Sequence, residues 1–357
     1  MLGLYVHIPF CKRKCLYCDF ISFEYNDKKA DEYISAVLKE SQKYKKEKIE
    51  TIYIGGGTPS VLSLNQLETL ISGLKENFDI TDLQEFTIEL NPESTNIENL
   101  KLFFDLGISR LSFGLESAND NELVKLGRLH NFDTFLSVYN DARNIGFDNI
   151  SIDLMYGIEN QTIESWRQTL DTILNLNSDH ISLYPLTIEK HTPFYSQNKK
   201  TDPDLQSQMY QIACDELINS DFIHYEISNW AKNNKSSKHN TLYWKNKEYI
   251  GLGVSASSYY KRERLKNILN PDIYIKDVLL GKRCILEREY IDDSSYKTET
   301  IMLGLRLAEG VDLNLFNDKQ DILKKYVKQN LLTVKDERVA LTEKGFWVSN
   351  AIISDFM

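Results

Sequence analysis

Through the first half of the chain, short apolar runs alternate with longer stretches whose apolar residues recur every three or four positions. Leu4–Ile8 is the first run, and it leads directly into a loop. Lys28–Lys46 follows with helical periodicity, then the run Thr51–Ile54, ended abruptly by Gly55, Gly56 and Gly57. The alternation continues as helix Ser63–Glu76, strand Phe86–Leu90, helix Ile97–Leu106 and strand Arg110–Leu115. Helices Asn121–Leu126 and Thr134–Gly146, strand Asn149–Met155, helix Ile163–Leu176 and strand His180–Leu186 complete it. Ser63 with Gln66 three residues on has the form of a capping box. Six strand–helix steps with short links predict an α/β fold with a parallel sheet. Glycines and polar residues collect just after strand ends, the face on which α/β barrels build their sites. A barrel, closed or partial, is the expected architecture.

Beyond Tyr195 the pattern changes. Asp204–Ser220 reads as a helix and Phe222–Ile227 as a strand, while Asn229–Asn240 is polar, lysine-rich and expected on the surface as a loop. Pro271–Leu280 and Lys297–Leu307 read as helices. From Val311 a small module is expected: helix Asp321–Gln329, a hairpin of Leu331–Val334 and Val339–Leu341 about Lys335–Arg338, and a closing helix Thr342–Phe356. That order resembles a winged helix. The expected organisation is 1–230 as the barrel, 231–310 as a connecting region and 311–357 as the winged-helix-like module. Residues 312–357 hold seven acidic and seven basic side chains. With no positive balance, the module is expected to pack or cover a site rather than bind DNA.

A length of 357 residues suits about two domains and a substantial core. The net charge of −10 argues against a nucleic-acid partner. The N-terminal MLGLYVHIPFCK lacks the pattern of a signal peptide. No apolar run approaches the roughly 18 residues of a spanning helix. Cys214 and Cys284 stand alone and are expected as buried free thiols. A cytoplasmic protein follows.

The candidate chemistry begins at CKRKCLYC, in which Cys11, Cys15 and Cys18 stand at C-x3-C-x2-C spacing. Three thiolates on one loop suit three irons of a [4Fe–4S] cluster, leaving the fourth iron open to a ligand. Lys12, Arg13 and Lys14 put positive charge beside them. The competing reading is zinc, with His7 or Asp19 completing four ligands, but no second C-x2-C or H-x3-H pair is present. Gly55-Gly56-Gly57-Thr58-Pro59 follows a strand directly. Such a run is either a tight turn or a place where backbone N–H groups grip a ligand.

Taken together, GLYVHIPFCKRKCLYCDF and IYIGGGTPS resemble the radical S-adenosylmethionine (SAM) superfamily. More narrowly they resemble its branch containing oxygen-independent coproporphyrinogen III oxidase and the HemW-type heme chaperones. The resemblance runs from Leu4 to the LTEKG stretch at Leu341–Gly345. It implies a partial (β/α)6 barrel with a smaller C-terminal winged-helix-like domain. It also implies a cluster on Cys11, Cys15 and Cys18, an electron donor for it, and SAM chelating the open iron through amino and carboxylate groups. By the same resemblance Tyr5, Tyr17, the loop Gly55, Gly56, Gly57 and Thr58, and Glu89 are expected near SAM. Arg128, Asp153 and Glu116 match positions around a second SAM. Glu116 departs from the branch, which carries glutamine there. A carboxylate accepts from a ribose but donates no N–H.

Three features divide the branch. Cys11 comes almost at once, where the oxidase carries a long arm, and Phe20 stands where the oxidase has a fourth cysteine. His239-Asn240-Thr241-Leu242-Tyr243-Trp244 matches the HNxxYW motif of HemW-type proteins. Imidazole is an axial ligand to heme iron, and aromatic faces suit a macrocycle. His239, Tyr243 and Trp244 are therefore the expected heme residues, against the plain alternative of a surface histidine and two packed aromatics. One stretch cuts the other way. GLGVSASSY at 251–259 replaces a glycine and a histidine of the chaperone pattern with Ser255 and Ser257, closer to the oxidase. The expectation is a chaperone binding a cluster, SAM and heme, and passing heme to an acceptor protein, membrane-associated or not. The alternative is the decarboxylating oxidase.

Overall fold

A computed structural model describes residues 1–232 and 234–357. Asn233, inside the stretch expected as a surface loop, lies outside the described residues. One twelve-stranded sheet organises the larger part of the chain. Its first six strands are β1 (Gly3–Ile8), β2 (Thr51–Gly56), β3 (Glu85–Leu90), β4 (Arg110–Glu116), β5 (Ile150–Tyr156) and β6 (His180–Pro185). They pair in parallel in that order. The intervening helices are α1 (Asp27–Ser41), α2 (Leu64–Asn77), α3 (Ile97–Asp105), α4 (Asp120–Leu126), α5 (Phe132–Ile145) and α6 (Ile163–Asn175). The expected capping box starts α2: Ser63 Oγ accepts from Gln66 N–H at 3.3 Å and Gln66 Oε1 from Ser63 N–H at 3.0 Å.

Successive strand residues point to opposite faces, and here the two faces differ sharply. Ile52 and Ile54, Phe86 and Ile88, Leu111 and Phe113, Ile150 and Ile152, and Ile181 and Leu183 are buried in the main apolar core. The residues between them are Tyr53, Thr87, Glu89, Arg110, Ser112, Ser151, Asp153, His180 and Ser182. A closed (β/α)8 barrel fills its interior with layers of branched apolar side chains. This interior is polar, so it is a lumen for a ligand rather than a packed core.

The second half departs from expectation in several places. The region 229–240 is not a loop throughout. After α7 (Pro203–Asn219), β7 (Ile223–Glu226) and β8 (Asn229–Ala231) form antiparallel edge strands beyond β6. Lys238–Trp244 forms the short helix α8. Four further strands were not foreseen: β9 (Tyr249–Leu252), β10 (Ser257–Tyr260), β11 (Glu263–Asn267) and β12 (Ile285–Tyr290). β9 pairs in parallel with β1, and β10, β11 and β12 follow antiparallel. The sheet thus continues through the expected connecting region, and the boundary expected at 230 falls inside it. The order β12-β11-β10-β9-β1-β2-β3-β4-β5-β6-β8-β7 has no ladder joining its ends among the described residues. The wall is an open, partial barrel.

Helix α9 (Pro271–Leu279) packs against α1, and α10 (Asp293–Gly304) opens a second apolar core. Ile301, Leu305, Phe316, Leu323, Tyr326, Val339, Ile352 and Phe356 fill that core beside a three-stranded sheet of Val311–Asp312, Leu332–Lys335 and Arg338–Leu341. The closing helix is broken at Val348 into Glu343–Trp347 and Ser349–Asp355. Cys214 and Cys284 are buried free thiols. Among the described residues no helix is long and apolar enough to cross a membrane.

Helix α8 is seated at the N-terminal end of the lumen by one carboxylate. Glu85 accepts from the Lys238 N–H at 2.8 Å, the His239 N–H at 3.0 Å and the Ser237 hydroxyl at 3.4 Å. Replacing it strands these donors. The expected cost of Glu85→Ala is about 2–3 kcal/mol, read as a shift in the urea midpoint, with Glu85→Gln losing less.

Candidate functional site

At the C-terminal end of β1 the chain enters the cysteine loop, which is fixed at both ends. Phe10–Cys11 pairs with Phe23–Glu24 in a short parallel ladder. Gly57 N–H donates to the Ile8 carbonyl and Thr58 N–H to the Phe10 carbonyl, both at 2.8 Å. Gly56 lies at φ +115°, a conformation that favours glycine. A side chain at Gly55 would strike the Glu89 carboxylate at 2.7 Å. The glycine run is therefore both a tight turn and a close approach of backbone to the site.

The three cysteines are half-exposed at the mouth of a cavity of about 450 Å³. Two neighbouring donors reach their sulfurs: Thr58 Oγ1 to Cys11 Sγ at 3.4 Å and Arg128 Nη1 to Cys15 Sγ at 3.5 Å. Asn91 ties the two donors together, giving its amide to Thr58 Oγ1 at 2.9 Å and accepting from Arg128 Nη2 at 2.8 Å. Arg128 Nη2 also donates to the Gly114 carbonyl, and Nη1 lies 3.7 Å from Glu116. Glu116 sits at φ +72°, on a bulge of β4, and lines the cavity with Tyr17. Lys14 folds back onto the Phe20 carbonyl at 2.9 Å, and Arg13 onto Gly127 at 2.8 Å. Both cations thus brace the loop.

Burial pushes the Cys15 thiol up, against the pull of Arg128, and Cys18 up to about 11. Sulfur ligands bind metals as thiolates, so loading this loop must expel protons. Among the described residues no three His, Cys, Asp or Glu side chains lie together as ligands of one metal ion. A single zinc needs its ligands together at bond lengths near ~2.3 Å. A cluster takes its thiolates on separate irons, and the spread of this loop with two donors to sulfur fits that better.

Deeper in the lumen, Glu89 accepts from Tyr53 Oη at 2.7 Å and from Gly56 N–H at 2.9 Å. Asp153 accepts from Ser112 at 3.3 Å and Ser151 at 3.4 Å. Burial raises the pKa of Glu89, Glu116 and Asp153 alike. A ligand bringing positive charge, such as the sulfonium and ammonium of SAM, would offset that desolvation. The donor set therefore fits both a cluster and SAM.

The cavity brings together Cys11, Cys15, Cys18, Tyr17, Gly56, Gly57, Thr58, Glu89, Glu116, Arg128 and Asp153 of the expected residues. Five of them, Tyr5, Gly55, His239, Tyr243 and Trp244, stand outside it. Gly55 lies behind Glu89. Tyr5 hydrogen-bonds to His7 at 2.9 Å and lines a neighbouring groove with Tyr243, Tyr249, Ser255 and Ser257. Phe20, 64% exposed, borders both cavity and groove. Trp244 faces a third groove, against the C-terminal module, under the Arg306 guanidinium at 4.6 Å.

His239 is not the surface histidine of the plain alternative: it is 0% exposed, beneath the lumen. Its Nδ1 bonds to Thr51 Oγ1 and its Nε2 to Tyr243 Oη, each at 2.8 Å, and its ring stacks on Tyr53. Burial, then the nearby Arg110 charge, lowers its pKa to about 3, so it stays neutral. From the same helix, Asn240 lines the main cavity. Sequence reasoning missed Asn91, Arg110, Ser112 and Ser182. Their signal was polar residues at alternate positions within apolar strands, as in Arg110-Leu111-Ser112-Phe113.

Comparison with known proteins agrees with this geometry. Residues 5–173 match the radical SAM superfamily model, and residues 296–348 match the HemN C-terminal domain. The heme chaperone HemW of Lactococcus lactis is 36% identical, over 99% of this chain and 96% of its own. That of Bacillus subtilis is 33% identical, over 100% and 99%. The coproporphyrinogen III oxidase (HemN) structure from Escherichia coli superposes with a TM-score of 0.87 at 24% identity, covering 99% of this chain and 89% of that one, which speaks to fold.

Two outcomes are expected. Arg128→Met leaves Glu116 buried without its cation and should cost about 3–5 kcal/mol, measured by chemical denaturation. Metal loading of the apoprotein should release protons and weaken as pH falls, because the elevated Cys15 and Cys18 thiols must ionise to bind. A pH-stat titration with ferrous iron and sulfide reads both. Loading that is independent of pH between about 6 and 9 would contradict the ligand assignment.

Proposed function

The chain belongs to the HemW family of radical SAM proteins, and from that premise we propose that it binds heme and hands it to an acceptor protein. The observation that carries the proposal is the placement of the HNTLYW helix. α8 underlies the lumen, with Asn240 toward the cavity, Tyr243 on the adjoining groove and Trp244 on the third. A motif that merely packed would have no reason to border three concave surfaces.

When bound, a [4Fe–4S] cluster with an open iron supplies the electron for reductive cleavage of SAM. In this reading Cys11, Cys15 and Cys18 are its ligands. Thr58 and Arg128 donate to the sulfurs and so favour their anionic state. Backbone at Gly56 and Gly57, the Glu89 carboxylate and Tyr17 line the SAM position. Glu116 and Arg128 would accept a second SAM only by loosening their contact with each other, and Asp153 only beside the serines it already holds.

Heme handling falls to α8. His239 reaches an iron only by leaving Thr51 and Tyr243, so ligation requires the helix to lift from the end of the lumen. That movement would uncover the faces of Tyr243 and Trp244 together with the imidazole. Because His239 is already neutral, no proton has to leave before it binds iron. The acceptor protein would meet heme on this side of the molecule, in the cytoplasm.

Hemin titration followed by the Soret band tests the reading. Wild type should bind, His239→Ala should lose the ligated spectrum, and amide exchange across 238–244 should accelerate when hemin binds. Equal hemin spectra for wild type and His239→Ala, with α8 protection unchanged, would remove His239 and its helix from the account. An anaerobic assay with reductant, SAM and coproporphyrinogen III is expected to give no vinyl product; vinyl formation would favour the oxidase.

A further inference from the structure

Nearly every charged or ring-nitrogen group facing the lumen has a protein partner within hydrogen-bond reach. Glu89 has Tyr53 and Gly56, Asp153 has serines, Glu85 has α8, and His180 has Ser151 and Tyr225, each at 2.8 Å. Arg128 has Asn91, Gly114 and Glu116. Arg110 is the exception. Its side chain is fully inside the protein, 1% exposed. Among the described residues it has no carboxylate within 4.0 Å and no hydrogen-bond acceptor, and its Nε is buried without a partner. Yet it lines the main cavity, with Tyr53, Ser112, Ser182 and Asn240. A buried guanidinium without an acceptor is costly.

The register says how deep it lies. Arg110 pairs with Thr87, and Ser112 with Glu89. Arg110 thus belongs to the layer below Glu89, about 7 Å further from the mouth at the backbone. That is the layer adjoining α8, where the same charge helps to hold His239 and His180 neutral. The planar fork of arginine matches a carboxylate in two parallel bonds. Ser182 and Tyr184 line the same cavity and bring further hydroxyls, while that of Ser112 is already given to Asp153.

We propose that Arg110 is the receiving group for the carboxylate of a ligand in the lumen. Both ligands of the reading above carry one: heme on its propionates, SAM on its methionyl end. Depth and the neighbouring α8 favour a heme propionate, and that choice rests on the reading under Proposed function. The carboxylate site itself does not.

The test is equilibrium binding to the anaerobically reconstituted protein, with the carboxylate altered on the ligand and the cation altered on the protein. Hemin is compared with hemin dimethyl ester, and SAM with decarboxylated SAM, on wild type, Arg110→Lys and Arg110→Met. Esterification should weaken hemin binding to wild type about 10- to 100-fold. Arg110→Met should weaken hemin to the same extent, bind the ester as wild type does, and leave SAM unchanged, with Arg110→Lys between. If the loss follows the SAM pair instead, the carboxylate site stands and heme is not its source. If neither ligand carboxylate affects binding to wild type, Arg110 is a counter-ion of Glu89 and Asp153 and the proposal is overturned, whether or not the variants fold. Failure of wild type to bind hemin at all would sink the chaperone reading, and the SAM pair would still decide the role of Arg110.

Discussion

Arg128 is the residue on which the mouth of this barrel depends. A guanidinium buried at the end of β4 reaches the Cys15 sulfur, the Asn91 amide, the Gly114 carbonyl and the Glu116 carboxylate. Through Asn91 it is joined to Thr58 and so to Cys11. One cation thereby connects the cysteine loop with the loops after β2, β3 and β4. It also explains how Glu116 keeps a left-handed backbone on a bulge: a strained residue persists where its surroundings fix it. A site assembled from four separate loops needs such a shared contact, because each loop alone is free to move.

The lumen behind it follows from a second constraint. Parallel strands that alternate apolar and polar residues must bury the apolar set against helices, which leaves the polar set facing inward. Those inward groups form pairs, Tyr53 with Glu89 and Ser151 with His180, that hold each other in place without a ligand. Arg110 breaks the rule, and for that reason carries more information about ligands than any satisfied neighbour. The helix beneath closes the lumen with His239, so the histidine of the HNxxYW motif and the end of the cavity are the same piece of chain.

Much of the fold was legible because the signals were local. Strand ends at Gly55, caps such as Ser63 with Gln66, and the helical period of α2 and α6 each follow from a few neighbouring residues. The strands β9 to β12 were not legible. They are short, and Glu263–Asn267 and Ile285–Tyr290 carry charges facing solvent, so no apolar run marks those two; only pairing with β1 and one another makes the four strands. The cysteine loop was readable from spacing. The state of His239 was not, since a polar segment of lysines and serines reads as a surface loop, and its burial depends on Glu85, more than a hundred and fifty positions away. Arg110 was visible only as one polar residue at the head of an apolar strand.

The central claim is that three cysteines hold an open cluster at the mouth of a polar lumen shaped for SAM. Electron paramagnetic resonance of the reconstituted, reduced protein, with and without SAM and alongside metal analysis, tests it most directly. The account predicts iron and sulfide near about four each per chain and a reduced-cluster signal that changes when SAM is added. Zinc without iron or sulfide, or a cluster signal indifferent to SAM, would contradict it.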